Sequence, residues 1–287
     1  MDAPHFTQRG VCLRLRQKSS AADLILRVVD GFREHRTGMY AALLSHFGFL
    51  SIFPLLTALT SILGFVLEGD KPLRKTIRDS ALAHVPIVGG QLKQDAGGLK
   101  GSVLLIVFGI ATALWAGTKA FVAAQNAMNE IWEVPRSQRP NLVKTRLRAF
   151  SGIGIVGVSQ IGSGILAGII SVSSTNWISR ILLAIAAIAF NTITLFATYR
   201  VLTAKKLQRD QLMAGAITSG VGLFVLQIFT TTIVSRALDK ATPVYGSFGG
   251  VIALLGWLSL TALIALIGVE VNAALDQRRR GEPNVAS

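Results

Sequence analysis

The residues of this sequence that could carry out acid–base or metal chemistry are few and scattered. The 287 residues include four histidines, His5, His35, His46 and His84, and no two of them have the spacing of a metal site. A metal-dependent hydrolase needs clustered His, Asp or Glu ligands. The Gly-rich fingerprints of phosphate and dinucleotide binding are also missing. We therefore predict no catalytic residue, no metal site and no cofactor.

The groups that stand out instead are polar side chains inside long apolar segments. A charge at the centre of a bilayer costs roughly 2.5–3.5 kcal/mol on insertion scales, so it seeks a partner. Glu270 is the one acid of the last apolar segment, and we expect it to pair with one or both of Lys119 and Arg200. Either Asn126 or Asn272 would complete the hydrogen bonds. This candidate buried polar cluster is interpreted as a static clamp between helices, with a gate or ion-coupling site as the alternative.

The composition of the chain predicts that these groups lie in a membrane. The sequence is 51% hydrophobic and only 15% charged, whereas soluble domains carry about 25% charged residues. A helix needs about 20 apolar residues to cross a bilayer. Six segments are predicted to do so, at about 39–67, 101–122, 150–172, 181–202, 212–234 and 245–275. The predicted fold is an all-α polytopic membrane bundle with six transmembrane helices.

Polar segments flank and connect these spans. Ser20 resembles a helix N-cap, and apolar residues at 25, 28, 29 and 32 recur at helical spacing. This pattern predicts an amphipathic helix that lies on the membrane surface or packs on a cytoplasmic loop. Residues 68–100 are too polar to span and are predicted as a surface helix and loop. The predicted division is a cytoplasmic N-terminal segment at 1–38, a membrane domain at 39–276 and a cytoplasmic basic tail at 277–287.

A proline interrupts the first predicted span. A proline inside a helix removes one backbone hydrogen bond and bends the helix. We therefore expect a kink or a short unwound segment from Ser51 to Pro54, with the Ser51 hydroxyl as a local partner for freed backbone groups.

Four stretches of the chain, in order, resemble the YihY/BrkB family of bacterial inner-membrane proteins. They are SIFPLL at 51–56, LWAGTKAFVAAQNAMNEIWEV at 114–134, TYR at 198–200 and YGSFGGVIALLGWLSLTALIALIGVEVNAAL at 245–275. The resemblance covers residues from about 30 to 275 and implies a six-span helical protein of the cytoplasmic membrane. Some members are labelled ribonuclease BN-like, others virulence or serum-resistance factors, and envelope-lipid export has been suggested for relatives. The chain departs from the family at Val201, where a proline often follows the Tyr-Arg pair.

The polar groups at membrane depth, the broken first helix and the glycine-rich third span are features of transport pathways. The sequence therefore favours a transporter or exporter of an envelope lipid or other solute over a non-transport scaffold or envelope-integrity factor. An enzyme is not expected, and ribonuclease activity least of all. The expected partners are membrane lipids and a lipid or small-molecule substrate. Nucleic acid is not expected despite a net charge of +14, because the basic residues lie between the apolar segments. The oligomeric state is left open.

The placement of the basic residues also predicts orientation. Most Lys and Arg residues fall in the N-terminus, in the connectors after the second and fourth spans, and in the C-terminus. By the positive-inside rule these segments are predicted to be cytoplasmic in the bacterial inner membrane.

Cys12, the one cysteine of the chain, should then resist a membrane-impermeant thiol reagent in intact cells and react after permeabilisation. Labelling of Cys12 in intact cells would contradict the predicted orientation.

Overall fold

The computed structural model describes residues 19–66, 103–172, 177–239 and 246–281. Within these ranges the chain is helical and contains no strand, which confirms the all-α fold. The predicted surface helix and loop at 68–100, and Cys12, lie outside the described residues. The helices are α1 (Ser20–Glu34), α2 (Thr37–Val66), α3 (Val103–Ile131), α4 (Leu142–Val172), α5 (Trp177–Leu202), α6 (Arg209–Asp239) and α7 (Gly246–Arg279), with a 3₁₀ turn at Arg136–Gln138.

The long helices have the length and composition of membrane spans. Among the described residues, five segments qualify: Thr37–Ala58, Ile106–Ile131, Ile181–Leu202, Arg209–Phe229 and Val251–Arg279. The third predicted span falls in α4, whose 31 residues extend about 46 Å at 1.5 Å per residue. That length exceeds the bilayer core of about 30 Å. The structure is thus consistent with a six-span bundle preceded by an amphipathic helix.

The outer surfaces of these helices are apolar. Leu104 and Phe108 on α3, and Leu182 and Ile193 on α5, leave most of their side-chain surface exposed. Large contiguous apolar surfaces are rare on soluble proteins and mark contact with membranes or partners. The exposed rows on the long helices therefore suit contact with lipid tails.

Helix α1 forms where the sequence predicts it, but its cap differs. Ser19, rather than Ser20, has the extended backbone of the N-cap. The Ser20 hydroxyl instead accepts a hydrogen bond of 2.5 Å from Arg278 of α7. Asp30 and Gly31 are the buried residues of α1, whereas Ile25 and Val29 are exposed. The helix therefore packs through small and polar residues and turns apolar side chains outward, as an interfacial helix does.

The chain divides into two compact units. The first contains α1, the start of α2 up to Leu44, the segment Phe121–Thr232, and α7 from Ser259 onward; the second contains Ser45–Ala120 and Ile233–Leu258. The cluster of buried apolar residues that forms the core lies in the first unit. Alanines are frequent in it, because small residues let helix backbones approach closely in a membrane. The core comprises Ala41, Ala124, Ala127, Met128, Ile131, Trp132, Val134, Leu195, Tyr199, Leu202, Leu212, Ala216, Ala262, Leu266, Val269 and Ala273.

In the second unit, α2 passes through Pro54 without a break. The expected unwound segment is therefore absent, and the kink stays a prediction. The Ser51 hydroxyl donates to the Gly48 carbonyl oxygen at 2.7 Å, so it bonds one backbone group nearby. Helix α3 packs against this part of α2: a Cβ on Gly109 would lie 2.7 Å from the Pro54 carbonyl oxygen.

In the first unit, α6 and α7 cross with their backbones in close contact. A Cβ added to Gly268 would meet the Ser219 hydroxyl, and it would lie 2.5 Å from the Gly215 carbonyl oxygen and 2.8 Å from the Tyr199 hydroxyl. Only glycine fits at this crossing. The contact sets the distance at which side chains of α5 and α6 can bond the α7 backbone.

The crossing predicts a strong position dependence for alanine on α7. We expect Gly268→Ala to destabilise the fold by about 1–3 kcal/mol, because an added methyl group would be overpacked. The matched control is Gly256→Ala on the same helix, where an added Cβ meets nothing within 4 Å. Thermal unfolding of the purified protein in detergent measures both. Equal midpoints for the two variants would contradict the close crossing.

Candidate functional site

Glu270 is buried in the C-terminal half of α7 and is bonded by the segment that joins α1 to α2. Its side chain is 2% exposed. The Thr37 hydroxyl donates to Oε1 at 2.5 Å, and His35 Nδ1 lies 3.1 Å from both carboxylate oxygens. The one acid of this apolar stretch therefore has polar partners inside the protein, as a carboxylate at this depth requires.

The local chain path explains how one short segment supplies three contacts. His35 ends α1, Arg36 has a left-handed backbone with φ 53°, and Thr37 begins α2. A positive φ is uncommon for a residue with a side chain, and here it turns the chain so that His35 and Thr37 meet the same carboxylate. Gly31 lies one helical turn earlier, where a Cβ would be 2.6 Å from Glu270 Oε2.

His35 is the titratable member of this site outside the spans. The side chain is 5% exposed, and Nε2 is buried with no partner among the described residues. Burial by itself lowers the pKa of His35. The hydrogen bond to Glu270 and the negative charges of Glu270, Glu133 and Glu34 outweigh burial, so the pKa of His35 is raised above its usual value. The pair can therefore hold a proton between α1 and α7.

Three of the five residues of the predicted cluster are at the surface. Lys119, Asn126 and Arg200 are exposed. The Lys119 ammonium lies 5.9 Å from the ring centroid of Trp115 on its own helix, and Arg200 has no ion pair within the described residues. Glu270 thus has His35 and Thr37 as partners rather than the expected Lys119 or Arg200. The position of Glu270 inside an apolar span correctly indicated that it needs a partner. The prediction considered only residues inside the spans, and so it omitted the segment between α1 and α2.

Asn272 is buried as expected, but it serves a different helix. Its Oδ1 accepts a hydrogen bond of 2.6 Å from the Gly215 N–H, and its Nδ2 donates to the Leu212 carbonyl oxygen at 3.1 Å. Both ends of the amide are satisfied by the first turns of α6. Asn272 therefore joins α7 to α6 beside the Glu270 site.

Further polar contacts of α7 were not predicted from the sequence. The Tyr199 hydroxyl donates to the Ala265 carbonyl oxygen at 2.6 Å, and the Ser219 hydroxyl donates to the Ile264 carbonyl oxygen at 2.7 Å. The Gln211 side-chain amide also donates from Nε2 to Asp276 Oδ1 at 2.7 Å. These contacts join α7 to α5 and α6. We call the whole set the α7 clamp: His35, Thr37, Tyr199, Gln211, Ser219, Glu270, Asn272 and Asp276.

The arginines of the basic tail also form hydrogen bonds and ion pairs. Arg278 donates to the Ser20 carbonyl oxygen at 3.2 Å, and Arg279 pairs with Asp210 at 2.9 Å. Arg280 pairs with Asp276 one turn earlier on the chain. Helix α7 continues to Arg279, beyond residue 276 where the membrane domain was predicted to end. The end of α7 is therefore held by α1 and α6.

A second polar feature lies halfway along α5 and differs from the clamp. Asn191 Nδ2 and Thr192 Oγ1 are buried, and neither has a hydrogen-bond partner among the described residues. Asn191 is near the middle of the 22-residue span Ile181–Leu202. Gly220 of α6 packs here, since a Cβ on it would contact the Thr192 side chain. The described residues contain no group of three His, Cys, Asp or Glu that could hold a metal ion.

Comparison with known proteins identifies relatives over most of the chain. Residues 28–287 match the family model described as virulence factor BrkB. The chain is 25% identical over 263 residues to the ribonuclease-like protein YfkH of Bacillus subtilis, covering 86% of this chain and 92% of that protein. It is 22% identical to the inner membrane protein YhjD of Escherichia coli, over 84% and 77% of the two chains. It is 26% identical to a UPF0761 membrane protein of Vibrio vulnificus, over 94% and 88%. No solved structure matches the chain.

The His35–Glu270 pair predicts a pH-dependent contribution to stability. Because the folded-state pKa of His35 is raised, its contribution is complete below the unfolded value of about 6.5. The contribution is lost as pH rises through the folded pKa. We therefore expect the stability advantage of the wild type over His35→Gln to be largest below about pH 6.5 and to shrink as the pH rises above that value, measured by thermal unfolding in detergent.

His46→Gln is the control for this experiment, because His46 is exposed on α2. Its unfolding midpoint should stay close to that of the wild type, because substitutions at exposed positions change stability little. A constant wild-type advantage over His35→Gln would show that the imidazole contributes no charge to the site.

Proposed function

Since this chain belongs to the BrkB family of bacterial membrane proteins, we propose that it transports or exports an envelope lipid or another solute with a polar group. It is an integral inner-membrane protein, in keeping with its apolar helices and with its inner-membrane relative. The proposed pathway passes the middle of α5, beside Asn191 and Thr192.

The unpartnered polar pair at the middle of α5 is the observation that carries this proposal. A buried donor without a partner costs about 1–3 kcal/mol, and lipid tails offer no partner. Apolar residues at both positions would remove that cost. In many transporters the substrate site lies near the bilayer midplane, where polar groups are available to bind the substrate. Asn191 and Thr192 have that depth and that lack of partners.

The chemistry of these two side chains indicates what would bind. Asn191 Nδ2 is a donor, so the ligand supplies an acceptor oxygen; Thr192 can donate or accept. Neither side chain carries a charge. Hydroxyl, ester or phosphate oxygens of a lipid headgroup, or of a small solute, satisfy this pair.

The α7 clamp supports a second candidate, a scaffold that holds the envelope together without moving anything. Each of its helix-to-helix contacts described above has a donor and an acceptor in place. Satisfied contacts of this kind rigidify a bundle. The clamp is also compatible with a transporter, whose pathway needs a fixed frame. The unpartnered pair on α5 is the observation that favours transport over a scaffold.

Ribonuclease activity has no support in the described residues, although one relative carries a ribonuclease-like name. A general acid or base must come within hydrogen-bond reach of its substrate. His35 and Glu270 are both buried and bonded to each other. Their burial argues against a role for this pair as general acid or base on RNA.

Transport can be tested in vesicles that contain only this protein. The wild type should move a labelled lipid or accumulate a solute. Asn191→Leu should stay folded and lose most of that flux, because it removes only a polar group that has no protein partner. Thermal unfolding midpoints separate loss of flux from loss of fold.

Thr218→Val is the matched control. Its hydroxyl bonds only the Ala214 carbonyl oxygen of its own helix, and the residue is exposed. This variant should transport as the wild type does. Full flux in Asn191→Leu would place the pathway elsewhere, and wild-type vesicles that move nothing would favour the scaffold.

A further inference from the structure

A junction of three elements in the first unit brings together hydrogen-bond donors and cations that have no carboxylate partner among the described residues. It lies where α3 ends, where α4 begins, and where the chain leaves α5. Trp132 follows the last residue of α3, Arg148 is in the second turn of α4, and Thr203 follows the last residue of α5. The ends of these spans place the junction at the level of lipid headgroups, where tryptophans are enriched.

Two cations converge on this junction. Arg148 Nη1 donates to the Thr203 carbonyl oxygen at 3.4 Å, and the Lys205 ammonium lies 5.2 Å from the ring centroid of Trp132. Both side chains are half-buried, and neither has a carboxylate partner among the described residues. The acids that flank Trp132 in the chain have other partners: Glu130 pairs with Arg139, and Glu133 accepts a hydrogen bond from Gln277.

Two neutral donors at the same junction are also without partners. The indole N–H of Trp132 and the hydroxyl of Thr203 are buried, and neither forms a hydrogen bond within the described part of the chain. A buried donor that finds no acceptor is destabilising. Two cations without a carboxylate partner lie beside two donors without an acceptor among the described residues. This combination favours a ligand that is anionic and rich in acceptor oxygens.

We propose that the Arg148–Lys205 junction binds a phosphate group, with Trp132 and Thr203 as neutral donors. Arg can contact two phosphate oxygens at once through its planar guanidinium, while Lys supplies a point charge on a flexible stem. The two neutral donors are buried in this structure, so the phosphate reaches them only if neighbouring side chains move. The phosphate belongs to an anionic phospholipid headgroup or to a soluble ion. This site is independent of the Asn191 pathway and stands or falls separately from it.

Binding to the purified full-length protein tests the site. Three ligands are compared: mixed micelles with phosphatidylglycerol, mixed micelles with phosphatidylcholine alone, and inorganic phosphate. The double variant Arg148→Gln/Lys205→Gln should lose affinity for the bound ligand at least about tenfold, since charged hydrogen bonds are among the stronger ones. A response to phosphatidylglycerol identifies the lipid as the source, and a response to inorganic phosphate identifies the soluble ion.

A second double variant separates a built site from general surface charge. Lys144 and Lys206 lie on the same two elements and are exposed. The double variant Lys144→Gln/Lys206→Gln therefore removes the same charge. It should keep the wild-type affinity within about twofold, because salt screens the attraction between exposed cations and an anionic ligand. Thr203→Val keeps every charge and should still weaken binding, because it removes one neutral donor. This variant tests the site if Arg148→Gln fails to fold. Equal losses in the two double variants, or no response to either anionic ligand, would overturn the proposal.

Discussion

Glu270 must find its hydrogen-bond partners inside the protein, because a hydrocarbon core supplies none. His35 and Thr37 provide them, and this requirement ties the segment between α1 and α2 to α7. The same constraint explains why residue 31 is a glycine, since a larger residue would collide with the Glu270 carboxylate. One buried acid thereby fixes how the N-terminal helix meets the last span.

The rest of the α7 clamp follows the same rule with neutral groups. Tyr199 and Ser219 bond carbonyl oxygens of α7 that already serve the helix, which is feasible because each carbonyl oxygen has two lone pairs. Asn272 reaches backbone groups of α6 in return. These bonds need backbones in contact, so the Gly268–Gly215 crossing is a condition for the clamp. Small residues and polar side chains act together here, as they do in other membrane bundles.

The sequence predicted the helices well because apolar length is decisive in a membrane. The observed end of α5 at Leu202 coincides with the predicted end of the fourth span. The candidate site was harder to predict. The burial of Glu270 and Asn272 followed from their apolar surroundings, but their partners depended on which helices are neighbours. A turn with a left-handed Arg36 brings His35 to Glu270, and no periodicity in the sequence encodes that approach. Two signals were available: a histidine and a threonine just before the first span, and the Tyr of the TYR motif.

The buried polar groups fall into two classes with different consequences. Glu270, Asn272 and Tyr199 have partners on other helices, so their cost of burial is offset by the bonds they make. Asn191, Thr203 and Trp132 have polar atoms without partners among the described residues, so they destabilise the protein unless something else bonds them. The first class is explained by the fold alone. The second class is not, since apolar side chains in those positions would leave a more stable bundle. Ligands are the natural acceptors for these atoms, and the positions of the atoms separate two sites: one at the middle of α5, and one beside Arg148 and Lys205 at the end of the spans.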